Sequence, residues 1–436
     1  MGALFIGIDF GTSGCRSSVI DEQAREVHGE SLSLPAPERD AQGSSQDPLI
    51  WWEALLELLR RTVRAVDGAE VRSIALDGTS GTLLLTDAQG GPLTPALMYN
   101  DARSTLEAGR ISAMAGEDCA AASPTSSLAK LLWLLANEPC GKASHALHQA
   151  DWLSNRLCGQ YGISDENNAL KLGYDPIHRC WPDWLTSDGA LRSLLPEVLP
   201  PSTEMGSLRP ELARELGLNS QTRIITGTTD STAAFIATGA CRPGDAVTSL
   251  GTTLVIKVLA ETPIVDMARG IYSHRLGDRW IVGGASNSGG GVLRHYFSDA
   301  QISELTQHIN PEQTTGLDYY PLLTNGERFP VNDAELAPRL SPRPTSDSLF
   351  LQGMLEGIAG IERAGYQALA ELGAPYPDRV ITTGGGSVST PWRLIREACL
   401  GRPCPASTQS TAAYGSALLA RHGEGGDGLA LEVNQI

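Results

Sequence analysis

The sequence predicts an α/β protein with two related lobes, and three observations support this prediction. The chain has 436 residues, a length that favours two domains over one. The N-terminal half alternates strand-like and helix-like segments, for example at 4–9 and 51–66. A strand, a glycine-containing turn and a second strand occur once in each half, around Gly11 and around Gly251. We therefore expect one lobe over residues 1–228 and the other over 229–436.

Composition and charge restrict the classes of function. Hydrophobic residues make up 41% of the chain and charged residues 19%, as in a globular protein. The net charge of −17 argues against a nucleic-acid partner, although backbone N–H groups can still bind a nucleotide's phosphates locally. Eight scattered cysteines favour reduced thiols over disulfides or zinc. Because no apolar run approaches the ~20 residues that cross a bilayer, we expect a cytoplasmic protein without a membrane partner.

The first hairpin has the composition of a phosphate-binding turn. Gly11 lets the backbone approach phosphate oxygens, and Thr12 and Ser13 supply hydroxyl and N–H donors. Asp9 stands just before the turn, and a carboxylate beside phosphate is repelled unless a divalent cation lies between them, which indicates Mg²⁺. An ordinary hairpin turn is the alternative. The similar turn at 251–253 in the second half favours phosphate binding.

Three further segments are candidates for binding or catalysis, each with a simpler structural alternative. Asp230 lies between a buried strand and a helix, where it can be a general base or a helix N-cap; spacing alone favours the cap slightly. Asp77 and Ser80 belong to a hydroxyl-rich loop that suits a polyol ligand or is a solvated turn. The triple glycine at 384–386 can lie against a flat ring or a ribose, or can be a flexible turn.

Taken together and in this order, these segments resemble the FGGY family of carbohydrate kinases, within the superfamily of actin, Hsp70 and sugar kinases. The resemblance covers nearly the whole chain. The segments that carry it are Ile8–Ser13, Tyr99–Arg103, Ser127–Leu134, Gly227–Asp230, Ser249–Thr253, Thr383–Ser387 and Ala412–Ala417.

This resemblance implies a two-lobed, actin-like ATPase (ribonuclease H-like) fold with a mixed central sheet in each lobe and flanking helices. The sugar would bind the N-terminal lobe, 1–228, and ATP mainly the C-terminal lobe, 229–436, with the last helix packing near the cleft. The implied activity is ATP-dependent phosphoryl transfer to a sugar hydroxyl. The implied partners are the sugar and ATP alone, with the chain acting as a monomer or homodimer.

The resemblance also assigns roles to individual residues. Asp230 would deprotonate the sugar hydroxyl, while Asp9 would act through Mg²⁺ and its waters, and both acids would serve as metal ligands. The sugar contacts would be Asp9, Asp77, Ser80 and Asp230. The ATP contacts would be Gly11, Thr12, Ser13, Arg16, Gly251, Thr252, Thr253, Gly384, Gly385, Gly386 and Ser387.

The loop at 77–80 bears on the choice of sugar. Xylulokinases typically carry Gln-x-His-Gly at this place and glycerol kinases Gln-Arg-Glu, whereas the Asp-x-Thr-x-Ser loop of ribulokinases is closer to this chain. The segments 165–175 and 318–322 most resemble the compact ribulose kinases of cyanobacteria and plant plastids. We therefore expect conversion of D-ribulose to D-ribulose 5-phosphate. D-xylulose is the alternative substrate, and a non-catalytic sugar sensor is the alternative class, although such a binder would be expected to have lost Asp9 or Asp230.

Overall fold

The computed structural model describes residues 2–41, 43–116 and 118–424, and its contacts group these residues into two compact α/β units. Within these ranges, unit 1 draws on residues up to 239, on 274–278 and on 411–424, and unit 2 on 240–273 and 279–410. The expected boundary at residue 228 treats each lobe as one continuous stretch. In the structure, the helix after that boundary and the last helix both group with unit 1.

The strands in chain order are β1 Leu4–Phe10, β2 Gly14–Asp21, β3 Glu26–Ser33, β4 Glu38–Arg39, β5 Ser44–Gln46, β6 Val71–Gly78, β7 Leu83–Thr86, β8 Ala96–Leu97, β9 His145–His148, β10 Ile163–Asp165, β11 Glu197–Leu199, β12 Glu204–Ser207, β13 Arg223–Thr229, β14 Asp245–Leu250, β15 Leu254–Ala260, β16 Tyr272–Leu276, β17 Arg279–Ser286 and β18 Arg379–Thr383.

The helices in chain order are α1 Pro48–Ala65, α2 Thr105–Ala115, α3 Ser127–Asn137, α4 Gln149–Cys158, α5 Glu166–Ala169, α6 Asp183–Thr186, α7 Gly189–Arg192, α8 Pro210–Leu216, α9 Asp230–Ala237, α10 Gly290–Tyr296, α11 Asp299–Thr306, α12 Asp347–Glu371, α13 Thr390–Leu400 and α14 Ala412–Gly423. None of the helices within the described ranges is both long and apolar enough to cross a membrane.

The main sheet of unit 1 is mixed, with the strand order β12-β13-β6-β1-β2-β3. Its centre is parallel, because β6 pairs in parallel with both β1 and β13, whereas β1, β2 and β3 pair antiparallel. The central position of β1 explains its nearly continuous apolar sequence, since a strand covered on both faces buries successive side chains. The parallel centre also sends the carboxyl ends of β1, β6 and β13 to one edge of the sheet.

The last helix, α14, packs against this sheet at positions where the chain has no side chain. A Cβ atom on Gly7 of β1 would lie 2.0 Å from the carbonyl oxygen of Ala413 and 2.1 Å from the backbone nitrogen of Ala417. A Cβ atom on Gly415 would lie 1.9 Å from the carbonyl oxygen of Ala233 in α9. These close backbone approaches explain why the end of the chain belongs to unit 1 by contact.

A second main sheet has the order β16-β17-β15-β14-β18, and its strands β14, β15, β17 and β18 belong to unit 2. Here β14 pairs antiparallel with β15, as the second predicted hairpin requires, and in parallel with β18. The long helix α12 covers the sheet, and its residues Ile358, Tyr366 and Leu369 are buried in one core with Ile256 and Val258 of β15. The sheet therefore positions the turns that follow β14 and β18.

We predict that Gly7→Ala destabilises unit 1, because the added methyl group would overlap two backbone atoms of α14. Overpacking of this kind costs about 1–3 kcal/mol, which urea-unfolding curves would show as a lower midpoint. Gly109→Ala in α2 is the matched control, since a Cβ atom there meets nothing within 4 Å and alanine is the better helix former. Equal midpoints for Gly7→Ala and the wild type would refute this account of the packing.

Candidate active site

Three carboxylates meet at the carboxyl edge of the main sheet in unit 1. Asp9 of β1 and Asp77 of β6 are direct partners in the parallel register, and Thr228 of β13 is the partner of Asp77 on its other side. Asp230 follows β13 immediately as the first residue of α9. The strand pairing thus brings together three acids that are far apart in the sequence.

Burial raises the pKa of two of the carboxyl groups at this edge. Asp77 is completely buried, and this burial together with the charge of Asp9 raises its pKa well above the usual value; Asp230 adds to the effect. Burial also raises the pKa of Asp9, while a hydrogen bond with Asp77 and the charge of Arg16 act in the opposite direction. Burial and the charge of Asp9 therefore favour the neutral form of Asp77 more than for an exposed carboxyl group.

Helix α14 supplies a second partner for Asp77. The hydroxyl of Ser416 donates to Oδ2 of Asp77 at 2.6 Å. Oδ1 of Asp77 is buried and has no partner among the N–H and O–H groups of the described residues. The close seating of α14 on Gly7 is what brings this serine to the strand end.

Asp230 is not the N-cap of α9, the role that its spacing in the sequence favours slightly. Thr229 is the N-cap of α9, and Asp230 is the first helical residue, half-buried, with its Oδ1 accepting a hydrogen bond from the backbone N–H of Ser231 at 2.6 Å. A carboxylate in the first turn of a helix is stabilised by the helix dipole. Asp230 therefore stands at a strand end as a carboxylate, not as the cap.

The turn that carries Ser80 is held from several directions. The Oε1 atom of Gln149 accepts hydrogen bonds from the backbone N–H and the hydroxyl of Thr79, at 3.1 and 3.0 Å. The Nζ atom of Lys130, which is fully buried, donates to the carbonyl oxygen of Gly81 at 2.7 Å. Burial lowers the pKa of Lys130 to about 7. Ser80 is half-buried at the tip of this fixed turn, next to the acidic edge.

The first glycine turn is a tight connection between β1 and β2. The backbone N–H of Gly11 donates to the carbonyl oxygen of Gly14 at 3.0 Å, and Ser13 is exposed at its tip. Arg16 of β2 lies opposite Asp9 in the antiparallel pairing, with an exposed side chain. The turn thus begins directly beside the acidic pair.

In unit 2 the structure brings two predicted motifs together. The turn at 251–253 is backed by the start of α10, whose residues Gly290 and Gly291 donate backbone hydrogen bonds to Gly251 and Thr252, both at 2.9 Å. Gly384 has a left-handed φ of 82°, and a Cβ atom there would lie 2.7 Å from the carbonyl oxygen of Leu250. The residues that follow, Gly385–Val388, form a short 3₁₀ helix.

A cavity of about 450 Å³ opens beside these two motifs. Its walls combine glycine backbone with apolar side chains and one ion pair, between Arg294 and Asp299 at 2.8 Å. Pockets of this size and composition suit small flat ligands. The lining residues that matter here are Gly251, Gly385, Gly386, Ser303, Thr390 and Trp392.

The acidic edge of unit 1 also fits the chemistry of a magnesium ion. In the described ranges no three His, Cys, Asp or Glu side chains form a site that could hold a metal by protein ligands alone. Mg²⁺ does not require one, because it is usually bound through one or two carboxylates together with phosphate oxygens and water. The buried, unpartnered Oδ1 of Asp77 and the neighbouring Asp9 show a local excess of oxygen acceptors that a cation would balance.

Sequence reasoning missed the residues that hold these motifs in place. Gln149 and Lys130 fix the turn of Ser80, and Ser416 binds Asp77. A weak signal existed for Lys130, a single charge within the apolar helix α3. Nothing in the sequence identifies the partner of Ser416, since 338 residues separate it from Asp77.

Comparison with known proteins places the chain among sugar kinases. The models for the N-terminal and C-terminal domains of the FGGY family of carbohydrate kinases match residues 4–237 and 246–423. The xylulose kinase of Escherichia coli is 25% identical over 412 residues, which cover 90% of this chain and 84% of that protein. The gluconokinase of Bacillus subtilis is 24% identical over 427 residues, 91% of this chain and 82% of that protein.

Solved structures confirm the predicted fold. A crystal structure described as a xyloylose kinase from Brucella ovis superposes with a TM-score of 0.87 at 27% identity, covering 98% of this chain and 92% of that one. The gluconate kinase from Lactobacillus acidophilus, 19% identical, shares the fold with a TM-score of 0.85 over 98% of this chain and 90% of that one. The fold, with a mixed sheet and flanking helices in each domain, is that of two-domain sugar kinases, and members of the family transfer a phosphoryl group from ATP, with Mg²⁺, to an alcohol. By both domain matches, the chain belongs to the FGGY family of carbohydrate kinases.

Proposed function

We propose that this kinase phosphorylates D-ribulose to D-ribulose 5-phosphate, with Asp230 as the general base. One observation carries the proposal: Asp77 and the turn of Ser80 lie at the end of β6 and Asp230 at the end of β13, the adjacent parallel strand of the unit 1 sheet. A carboxylate at a strand end, beside a hydroxyl and buried acids, is suited to bind a polyol and to accept a proton from it.

In the proposed reaction, the terminal hydroxyl oxygen of the sugar forms a bond to the γ-phosphorus of ATP while the bond between that phosphorus and the β–γ bridging oxygen breaks. ADP leaves with the electron pair, and the hydroxyl proton passes to the Asp230 carboxylate. The hydrogen bond from Ser231 fixes one oxygen of Asp230. Asp77, the strand partner of Asp9, can bind a sugar hydroxyl.

We assign the metal to Asp9 and Asp230 and the nucleotide to the glycine motifs. When bound, Mg²⁺ neutralises charge on the triphosphate. Asp9 has the position for this role because it is the last residue but one of β1, just before the Gly11–Ser13 turn. The phosphate contacts proposed are Gly11, Thr12, Ser13, Arg16, Gly251, Thr252 and Thr253. The cavity beside Gly384, Gly385, Gly386 and Ser387 is proposed to receive the nucleoside.

The charge of the acidic edge favours a neutral sugar. The negative charge of Asp9 and Asp230 would repel a sugar acid such as gluconate, despite the gluconokinases among the relatives. D-ribulose and D-xylulose are both neutral and differ only in configuration at C3. We favour D-ribulose because the Asp77–Ser80 turn has the ribulokinase pattern, and D-xylulose is the second candidate because several relatives carry that name.

The same features argue against a sugar sensor without activity, since both Asp9 and Asp230 are retained at the edge of the sheet. We further propose that the enzyme acts in the cytoplasm. All eight cysteines are free thiols, which suits a reducing compartment.

We predict that Asp230→Asn abolishes phosphoryl transfer and leaves nucleotide binding intact. Loss of a general base lowers kcat by at least about 10²-fold, which a coupled ADP-release assay would detect. Isothermal titration with MgADP should give a Kd close to the wild-type value, because asparagine keeps one oxygen for the proposed metal and Asp9 is unchanged. Asp347→Asn is the control, because Asp347 is also the first residue of a helix but is exposed and paired with Arg343. Loss of MgADP binding together with activity would contradict the role of Asp230.

We predict that Ser80→Ala raises the KM for the sugar by about 5- to 150-fold. The reason is that a buried sugar hydroxyl would lose its hydrogen-bond partner, which weakens binding by about 1–3 kcal/mol. The KM for ATP should not change. Ser187→Ala, which removes an exposed hydroxyl from a helix end, serves as the control. An unchanged sugar KM would remove Ser80 from the sugar site.

The substrate itself is tested by an ADP-release screen over D-ribulose, D-xylulose, L-ribulose, gluconate and glycerol. We expect the highest kcat/KM for D-ribulose and no turnover of gluconate. A higher kcat/KM for D-xylulose would establish the second candidate, and absence of turnover with every sugar would favour the sensor.

A further inference from the structure

Beneath the two glycine motifs of unit 2 lies a buried ion pair that the reaction chemistry does not use. Glu362 of α12 and Arg396 of α13 are both essentially inaccessible to solvent. The Nε atom of Arg396 donates to Oε2 of Glu362, and its Nη2 atom donates to Oε1, both at 2.7 Å. This two-point geometry holds the two helices in one relative orientation.

The pair is connected to two threonines that face each other across the sheet. The hydroxyl of Thr248 in β14 donates to Oε1 of Glu362 at 2.6 Å, and the Nη1 atom of Arg396 donates to the hydroxyl oxygen of Thr382 in β18 at 2.7 Å. Thr248 and Thr382 are direct partners in the parallel register of these strands. One ion pair is therefore hydrogen-bonded to two adjacent strands at residues that are partners in the sheet.

Thr248 and Thr382 both stand just before the glycine motifs that we propose to bind the nucleotide. Gly251 comes three residues after Thr248, and Gly384 comes two residues after Thr382. Helix α13, which carries Arg396, also contributes Thr390 and Trp392 to the wall of the cavity. The network thus reaches the turn, the triple glycine and the cavity wall together.

Tyr366 closes the network on the side of α12. Its hydroxyl lies 2.8 Å from that of Thr248. Burial, followed by the charge of Glu362, raises the pKa of Tyr366 well above its usual value, so its hydroxyl keeps its proton and can donate to Thr248. Both carboxylate oxygens of Glu362 accept at least one hydrogen bond within this network.

We propose that Glu362 and Arg396 are positioning residues, whose ion pair sets the nucleotide affinity by fixing the strands that deliver the Gly251–Thr253 turn and the Gly384–Gly386 turn. The inference rests on the proposed placement of the nucleotide in the unit 2 cavity. Stability alone is a poor reason for such a pair, because apolar side chains of similar volume often stabilise a core equally well. Directional bonds to Thr248 and Thr382 provide what apolar packing does not, a defined register at the strand ends.

The test removes the hydrogen bond between Arg396 and Thr382 and keeps the ion pair between Arg396 and Glu362. Thr382→Val keeps the shape of the side chain but loses the hydroxyl that accepts from Arg396. We expect the Kd for MgADP, measured by isothermal titration, to rise about three- to tenfold, with the KM for the sugar unchanged. Thr382→Ser, which restores the hydroxyl, should return the Kd to the wild-type value.

Ser273→Ala controls for a merely structural effect. The Ser273 hydroxyl bonds the backbone of Ile264 and lies in β16, at the opposite edge of the sheet from β18. We expect this variant to lose stability in urea without a change in the Kd for MgADP. An unchanged Kd in Thr382→Val, or an equal rise in Ser273→Ala, would overturn the inference.

Ser303→Trp tests separately whether the nucleotide binds in the unit 2 cavity, the placement on which this inference rests. Ser303 is exposed and lines the cavity, so an indole there would fill the space. If Ser303→Trp loses MgADP binding while Thr382→Val keeps it, the nucleotide site stands and the positioning role is wrong. If a folded Ser303→Trp binds MgADP normally, the nucleotide placement is wrong and the inference fails with it.

Discussion

The parallel pairing of β1 with β6 is the constraint on which the acidic edge depends. It sets Asp9 directly beside Asp77, and the pairing of β6 with β13 adds Thr228 and, two residues on, Asp230. A shift of one residue in either register would turn the side chains of one strand to the opposite face of the sheet. The raised pKa of Asp77 follows from the same pairing, because two buried neighbouring carboxyl groups are not ionised together at low cost.

The two units hold the loops at their strand ends by different contacts. In unit 1 the close contact of α14 with Gly7 delivers Ser416 to Asp77, and Gln149 and Lys130 hold the neighbouring turn through buried hydrogen bonds. In unit 2 a complete ion pair lies beneath the turns. In both, buried polar side chains form hydrogen bonds at strand ends, where the backbone leaves the sheet and loses its ladder of hydrogen bonds.

Much of the framework could be predicted from local sequence. Both hairpins formed, because a strand, a glycine turn and a strand are read from neighbouring residues. The helix expected over 51–66 is α1, but it begins three residues earlier, at Pro48 after the N-cap Asp47, because the apolar pattern does not mark the cap. The polar edge strand β3, Glu26–Ser33, was not predicted, since its half-exposed residues leave no hydrophobic pattern. The partners of Asp77 and Thr248 could not be predicted either, because long-range hydrogen bonds depend on packing between elements that the local sequence does not specify.

The central claim is that the acidic edge of unit 1 binds and activates the sugar. The most direct measurement is a crystal structure of the enzyme with D-ribulose. The account predicts the terminal hydroxyl oxygen of the sugar within about 2.6–3.2 Å of the Asp230 carboxylate, with a second sugar oxygen bonded to Ser80. Sugar bound away from both residues, for example in the separate unit 1 cavity that Tyr174, Arg179 and Trp181 line, would contradict it.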